Sequence, residues 1–69
     1  MKIDFRLKND HIELNKLLKV TGVCATGGMA NVAVDEGLVK VDGKPEFRKR
    51  CKIRKGQRVD FEKNIIEVR

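Results

Sequence analysis

The feature that most constrains the fold of this 69-residue chain is the tight-turn signal Asp42-Gly43 near its middle. An Asp-Gly pair favours a two-residue type I′ turn, because both central residues of that turn need a positive φ. The residues before it, Leu38-Val39-Lys40-Val41, form a strand-like run. Gly37 can end a preceding helix in the left-handed conformation. The middle of the chain is therefore predicted to pass from a helix into an antiparallel hairpin.

A first helix is predicted from about His11 to Thr21. Asp10 followed by Glu13 resembles a capping box, in which the Asp side chain accepts hydrogen bonds from first-turn amides. Gly22 is the expected stop. The apolar face of this helix consists of Leu14, Leu17 and Leu18.

A second helix is predicted from an N-cap at Thr26 to Glu36. The small side chains of Ala30 and Ala33 would allow the two helices to approach closely. Met29 continues the helical spacing of apolar residues, and we expect it to pack between the helices.

Strand-like alternation occurs in four further segments. These are Ile3 to Leu7, Cys51 to Ile53, Val59 to Phe61 and Ile65 to Val68. We expect the last segment to pair with a neighbouring strand, for which the N-terminal strand is one candidate. The predicted fold is α+β, a single domain over residues 1–69 with two short N-terminal helices packed on a small, curved, mostly antiparallel sheet.

A strongly basic segment follows the hairpin turn. From Lys44 to Arg58 the chain has eight Lys or Arg residues and one acid, Glu46, whereas the net charge of the whole chain is +6. Such a cluster produces a positive potential that attracts polyanions, and neutralising phosphates releases condensed counterions. The segment predicts a nucleic-acid-binding surface.

Several other classes of protein are not indicated. Cys24 and Cys51 are too far apart for a CxxC motif and His11 is the only histidine, so we expect no metal or cofactor. Free thiols are expected, with one disulfide as the alternative, and Cys24 is expected to pack between the helices. We expect His11 to face solvent, and no paired acids or nucleophile suggest an enzyme. No apolar run approaches the roughly 20 residues of a membrane span, and no signal-peptide core is visible. A cytoplasmic location is expected.

The order of these elements resembles the S4 RNA-binding domain. Two short helices followed by Glu36-Gly37-Leu38-Val39-Lys40-Val41-Asp42-Gly43 look like the core of that domain, and Lys55-Gly56-Gln57-Arg58-Val59 resembles its closing segment. The resemblance covers about His11 to Phe61 and is greatest to small, stand-alone bacterial members. It implies a protein that binds structured RNA such as ribosomal or transfer RNA, with the ribosome or one of its subunits as an expected partner.

The resemblance also implies which side chains lie near RNA, on the second helix and the hairpin after it. They are Lys40, Lys44, Arg48, Lys49, Arg50 and Lys52. Arg54 and Lys55 extend the same basic segment. Many S4 domains have Ser-Arg at the start of the second helix, where the Arg contacts RNA. This chain has Thr26-Gly27 there, which removes that contact.

Two features have more than one interpretation. Thr26, Gly27 and Gly28 could offer free helix-start amides to a phosphate, or the glycines could permit close packing against the first helix. Phe47 could stack on an exposed base or hold the basic segment against the core. Because the chain has only three aromatic residues, we expect Phe47 to pack.

The composition favours structured RNA over single strands, because single-strand binders stack bases on aromatic platforms. Two other partners remain open. One is duplex DNA, although the second helix has few groups that could read bases. The other is an acidic protein docked by the basic segment. A monomer is expected because no surplus apolar patch is apparent.

Overall fold

The computed structural model describes all residues from 1 to 69 and contains seven strands and two helices. In chain order they are β1 (Lys2–Phe5), β2 (Ile12–Glu13), α1 (Leu14–Val20), α2 (Gly27–Asp35), β3 (Val39–Val41), β4 (Lys44–Pro45), β5 (Lys52–Ile53), β6 (Arg58–Phe61) and β7 (Asn64–Val68). Neither helix has the length and apolar character needed to span a bilayer.

Five strands form one sheet in the order β1-β7-β6-β3-β4. The strands β7, β6, β3 and β4 pair antiparallel, whereas β1 pairs with β7 in parallel, with Ile3 opposite Ile66. The pairing of the last segment with the N-terminal strand is therefore confirmed. So is the prediction of two helices on a mostly antiparallel sheet.

The predicted hairpin joins β3 to β4. Asp42 and Gly43 have φ values of 51° and 86°, as a type I′ turn requires. The Asp42 carboxylate accepts hydrogen bonds from the Arg58 backbone N–H and from the Gln57 side-chain amide, both at 3.0 Å. These bonds lower the pKa of Asp42 and tie the turn to the start of β6.

The predicted start of the first helix is wrong, and so is the capping box. The helix α1 begins at Leu14, its N-cap is Glu13, and no side chain caps it. Ile12 and Glu13 are extended instead, because they pair with β5 in a separate two-stranded sheet. Asp10 bonds to the Arg54 guanidinium at 2.6 Å rather than to helix amides. The expected stop is confirmed, since Gly22 has a φ of 81°.

The second helix follows its prediction closely. The Thr26 hydroxyl accepts a hydrogen bond from the Met29 N–H at 3.1 Å, which confirms Thr26 as the N-cap. Ala30 and Ala33 are buried, as expected for closely packed helices. Met29 does not pack between the helices. Its side chain points to solvent and is 56% exposed.

The core is aliphatic and lies between the helices and the sheet. Its largest fully buried side chains are Leu14, Leu17, Leu18, Val34, Val39, Ile53, Val59 and Ile66. Cys24 is buried as predicted, and both cysteines are free thiols. Ile53 reaches this core from the basic segment, so one residue of that segment is anchored in the interior.

We predict that Gly37→Ala destabilises the fold by about 1–2 kcal/mol, because Gly37 has a φ of 73° and a left-handed conformation disfavours a Cβ. The added Cβ would also lie 2.8 Å from Phe47 Cε1, so that ring must move. Urea unfolding of Gly37→Ala, with and without Phe47→Ala, separates the two costs.

The matched control is Gly27→Ala. A Cβ at Gly27 meets no atom within 4 Å, and the residue lies in the first turn of α2 without a positive φ. We expect this variant to gain about 0.4–1 kcal/mol, since the unfolded chain loses freedom. Equal unfolding free energies for Gly37→Ala and the wild type would contradict the assigned conformation.

Candidate nucleic-acid interface

An open groove of about 870 Å³ lies between the β3–β4 hairpin and the segment that follows it. We call it the basic groove. Its lining residues are Val41, Asp42, Lys44, Pro45, Glu46, Arg48, Cys51, Lys52, Arg54, Lys55 and Gln57. Five of them are cations and two are acids, so the groove has a net positive charge and a positive potential.

The structure brings together only part of the predicted cation set. Lys44, Arg48, Lys52, Arg54 and Lys55 line the basic groove. The other three predicted cations lie outside its lining. Arg50 shares a neighbouring depression with Arg48 and Lys52, and Lys40 and Lys49 are exposed.

The backbone of the basic segment is attached to the start of α1. The N–H groups of Leu14 and Asn15 donate to the carbonyls of Cys51 and Lys49, each at 2.9 Å. The first amides of a helix have no partner within the helix. These two carbonyls accept the hydrogen bonds that a capping side chain would otherwise accept. The side-chain capping box is therefore unnecessary, and the basic segment is held on the folded frame.

Glu46 fixes Arg48 within the groove. Its carboxylate accepts hydrogen bonds from the Arg48 Nε at 3.0 Å, the Arg48 Nη2 at 3.2 Å and the Arg48 backbone N–H at 3.0 Å. The bonds from the guanidinium and from this N–H lower the pKa of Glu46 to about 2. The carboxylate is thus ionised near neutral pH and holds the guanidinium in one orientation.

Two further arginines bind acids that precede α1. The Arg50 Nε lies 3.1 Å from Glu13 Oε2, and the Arg54 Nη1 lies 2.6 Å from Asp10 Oδ2. The Arg54 guanidinium lowers the pKa of Asp10. These arginines therefore link the basic segment to the frame as well as adding charge.

The lysines differ from the arginines. None of the predicted lysines has an acid within 4.0 Å, and those that line the groove are Lys44, Lys52 and Lys55. Their ammonium groups are exposed point charges on flexible stems. The uncompensated positive charge of the groove consequently comes from its lysines.

The helix start at Thr26, Gly27 and Gly28 lies outside the basic groove. Neither interpretation of the glycines gains support from a contact. A Cβ on Gly27 would meet nothing within 4 Å, and a Cβ on Gly28 would meet only the Thr26 hydroxyl at 3.8 Å. Close packing against α1 therefore does not explain the glycines. Thr26 and Gly28 border a second groove, and no cation lines it.

That second groove is apolar and was not predicted from the sequence. It is lined by Thr26, Gly28, Met29, Val32, Ala33, Glu36, Leu38 and Phe61. Met29, Val32 and Leu38 are each more than half exposed. The expectation that the chain has no surplus apolar patch is wrong. The signal was present in the i, i+3 spacing of Met29 and Val32, which places them on one helix face.

Phe47 does not pack into the core as expected. Its side chain is 62% exposed, and its ring rests on the backbone of Gly37, where a Cβ would lie 2.8 Å from Cε1.

His11 also differs from expectation. It precedes β2 rather than lying in a helical turn, and its Nδ1 is buried without a hydrogen-bond partner, 3.7 Å from the Asp10 carboxylate.

We predict that acid weakens the fold through Glu46. Its pKa is lower in the folded state than the ordinary value of 4.5, so its contribution is fully present above about pH 4.5 and is lost as the pH falls through about 2. An NMR titration of the Glu46 carboxyl carbon measures this pKa directly. Arg48→Ala should raise the pKa of Glu46 towards 4.5. The part of the lowering that is due to the Arg48 backbone N–H should remain.

Urea unfolding at pH 7 and pH 3 supplies the stability readout. Glu46→Gln should lose less unfolding free energy between these two pH values than the wild type does. An identical loss in both proteins, or a Glu46 pKa near 4.5 in the wild type, would refute the assigned hydrogen bonds.

Comparison with known proteins agrees with this architecture. Residues 5–69 match the sequence profile of the S4 domain. The chain is 49% identical over 61 residues to YbcJ of Escherichia coli (strain K12), which is named as a candidate RNA-binding protein, and the alignment covers 88% of this chain and 87% of the relative. YbcJ of Shigella flexneri has the same identity and coverage.

A solved structure is similar as well. The solution structure of E. coli YbcJ superposes with a TM-score of 0.73 and 48% sequence identity, covering 94% of this chain and 84% of that chain. Its description refers to an αL motif involved in RNA binding. The profile match spans nearly the whole chain, and the fold agrees with that of a close relative. This chain is a member of the S4 domain family.

Proposed function

We propose that this protein is a non-catalytic RNA-binding protein that recognises structured RNA, of the ribosomal or transfer type, by gripping its backbone. The main support for the proposal is the charge of the basic groove. Five cations and two acids line it, and its three lysines have no ion-pair partner. Phosphates are the ligands that such a groove attracts most strongly.

The lining of the groove favours a folded RNA. It holds no aromatic side chain, so it offers no surface on which successive bases of a single strand could stack. Double-stranded RNA hides its base edges in a deep, narrow groove and is recognised by shape, phosphates and 2′-hydroxyls. Cations on a rigid frame suit that task.

The similarity to E. coli YbcJ supports an RNA partner, since that protein's solved structure is described as containing a motif involved in RNA binding. We further propose that the protein acts in the cytoplasm, alone or on a ribosomal subunit, without a cofactor. Duplex DNA and an acidic protein are the competing partners, and the first experiment separates them from RNA.

We predict that binding to a structured ribosomal RNA fragment has a log–log salt slope of about −4 to −5, because about five phosphates are neutralised. Fluorescence anisotropy over a salt series measures it, with duplex DNA of equal length as the comparison. RNA should bind more tightly than DNA at every salt concentration. A slope near zero would refute the electrostatic mechanism, and equal weak binding to both would point to an acidic protein partner.

Charge reversal of groove lysines tests the site. We expect Lys44→Glu/Lys55→Glu to weaken RNA binding by about 30-fold, because each reversal removes a solvent-exposed ionic contact worth about 1 kcal/mol. Both side chains are exposed and have no ion-pair partner, so the fold should survive. Arg48 and Arg50 are poorer targets, since charge reversal there would place a second carboxylate beside Glu46 and beside Glu13.

The matched control is Lys19→Glu/Lys63→Glu, which changes the net charge equally. Lys63 lies in the turn between β6 and β7, at the opposite end of β6 from Lys55, and Lys19 lies in the last turn of α1. We expect less than a threefold change for this variant, and thermal unfolding verifies both folds. Equal losses in the two variants would mean that the charge acts nonspecifically.

A further inference from the structure

We propose that Phe47 is a stacking platform for an unpaired nucleobase of the RNA whose backbone lies in the basic groove. This inference rests on the proposed function and assigns a second kind of contact to it. The groove contacts phosphates, which are present whether or not the bases are paired. The Phe47 ring supplies a contact that only an unpaired base can make.

The exposure of Phe47 sets it apart from the other aromatic residues. Phe5 and Phe61 are partly buried and pack against the core, whereas the Phe47 side chain is 62% exposed. An aromatic ring carries a large apolar area, and the aliphatic core is complete without this one. Its position on the surface leaves the ring available to a partner outside the chain.

The ring lies against Gly37, and the backbone is hydrogen-bonded on both sides of it. Its Cε1 and Cζ atoms lie 2.8 and 3.1 Å from the position that a Cβ on Gly37 would occupy, so only glycine leaves room for it. On one side, the Glu46 N–H donates to the Val39 carbonyl at 2.9 Å. On the other, the Arg48 N–H donates to the Glu46 carboxylate. A ring on an ordered backbone loses less freedom when a ligand stacks on it than a ring on an unanchored loop would.

The neighbouring residues connect the ring to the basic groove. Glu46 and Arg48, on either side of Phe47 in the chain, both line the groove, whereas Phe47 does not. An RNA strand whose phosphates contact Arg48 therefore passes the same short segment of chain that carries the ring. Bases inside a duplex have both faces covered by their neighbours, so only a bulged, looped or terminal base has a free face to offer.

The surroundings of the ring favour a nucleic acid over a protein. The residues that follow it are Arg48, Lys49 and Arg50, and the apolar groove does not include it. A lone aromatic ring beside three cations lacks the apolar neighbours of a protein docking site. Stacking on a base needs one ring and nearby positive charge, and it is tolerant of base identity.

A tryptophan reporter tests the stacking directly, because the chain contains no Trp and no Tyr. Phe47→Trp is titrated with two RNA hairpins, one fully paired and one with a single bulged adenine. We expect the bulged hairpin to quench the emission strongly and the paired hairpin to quench it weakly. The control is Leu38→Trp, since Leu38 is 54% exposed and lies in the apolar groove. Its emission should not respond to the bulge.

Binding of the unlabelled variants completes the test. Phe47→Ala should lose about 5- to 100-fold in affinity for the bulged hairpin, and its affinity for the paired hairpin should be unchanged. Phe47→Tyr should retain the wild-type preference. Leu38→Ala should leave both affinities unchanged.

The outcomes separate this inference from the proposed function. Salt-dependent binding of both hairpins, with no preference for the bulge and no effect of Phe47→Ala, would overturn the stacking role and leave the groove intact. An absence of binding to either hairpin would overturn both. Quenching of the Phe47→Trp emission by an acidic polypeptide, with none by RNA, would reassign the ring to a protein partner and overturn the inference.

Discussion

The interaction on which the rest of this structure depends is the attachment of the basic segment to the start of α1. Two backbone hydrogen bonds, from the N–H groups of Leu14 and Asn15, join the first turn to the carbonyls of Cys51 and Lys49. Ile53 then enters the core beside them. A segment with this charge density repels itself and would otherwise be an extended loop. Anchored at these points, it forms one wall of a groove.

The cations of the segment have two different roles. Arg48, Arg50 and Arg54 each bind a carboxylate, which suits the rigid fork of a guanidinium. Lysine has a compact charge on a flexible stem, and the groove lysines have no partner. The arginines therefore set the shape of the surface and the lysines set its net charge. Exposed ion pairs add little stability singly, so their value here is in orientation.

The sequence predicted the elements whose causes are local. Asp42-Gly43 and the Thr26 cap depend on residues within three or four positions, and both predictions are confirmed. The start of α1 was mispredicted because its amides bond to carbonyls more than thirty residues away. A capping box is a local signal, and it cannot reveal a distant backbone that competes for the same amides.

The candidate site was predicted only in outline, for a related reason. Charge density located the basic segment, but Lys40, Lys49 and Arg50 lie outside the groove lining that the chain forms around Lys44 and Lys52. Side-chain exposure was harder still. Met29 and Phe47 are residues that usually pack inside, and only the tertiary structure shows that the core is complete without them.

Gly37 shows how the helix, the hairpin and the proposed interface constrain one another. Its positive φ ends the second helix and directs the chain into β3, and its missing side chain leaves the space on which the Phe47 ring rests. A larger residue there would disturb the backbone and displace the ring together. Because Gly37 has both roles, the residue that ends the second helix also sets the position of the Phe47 ring.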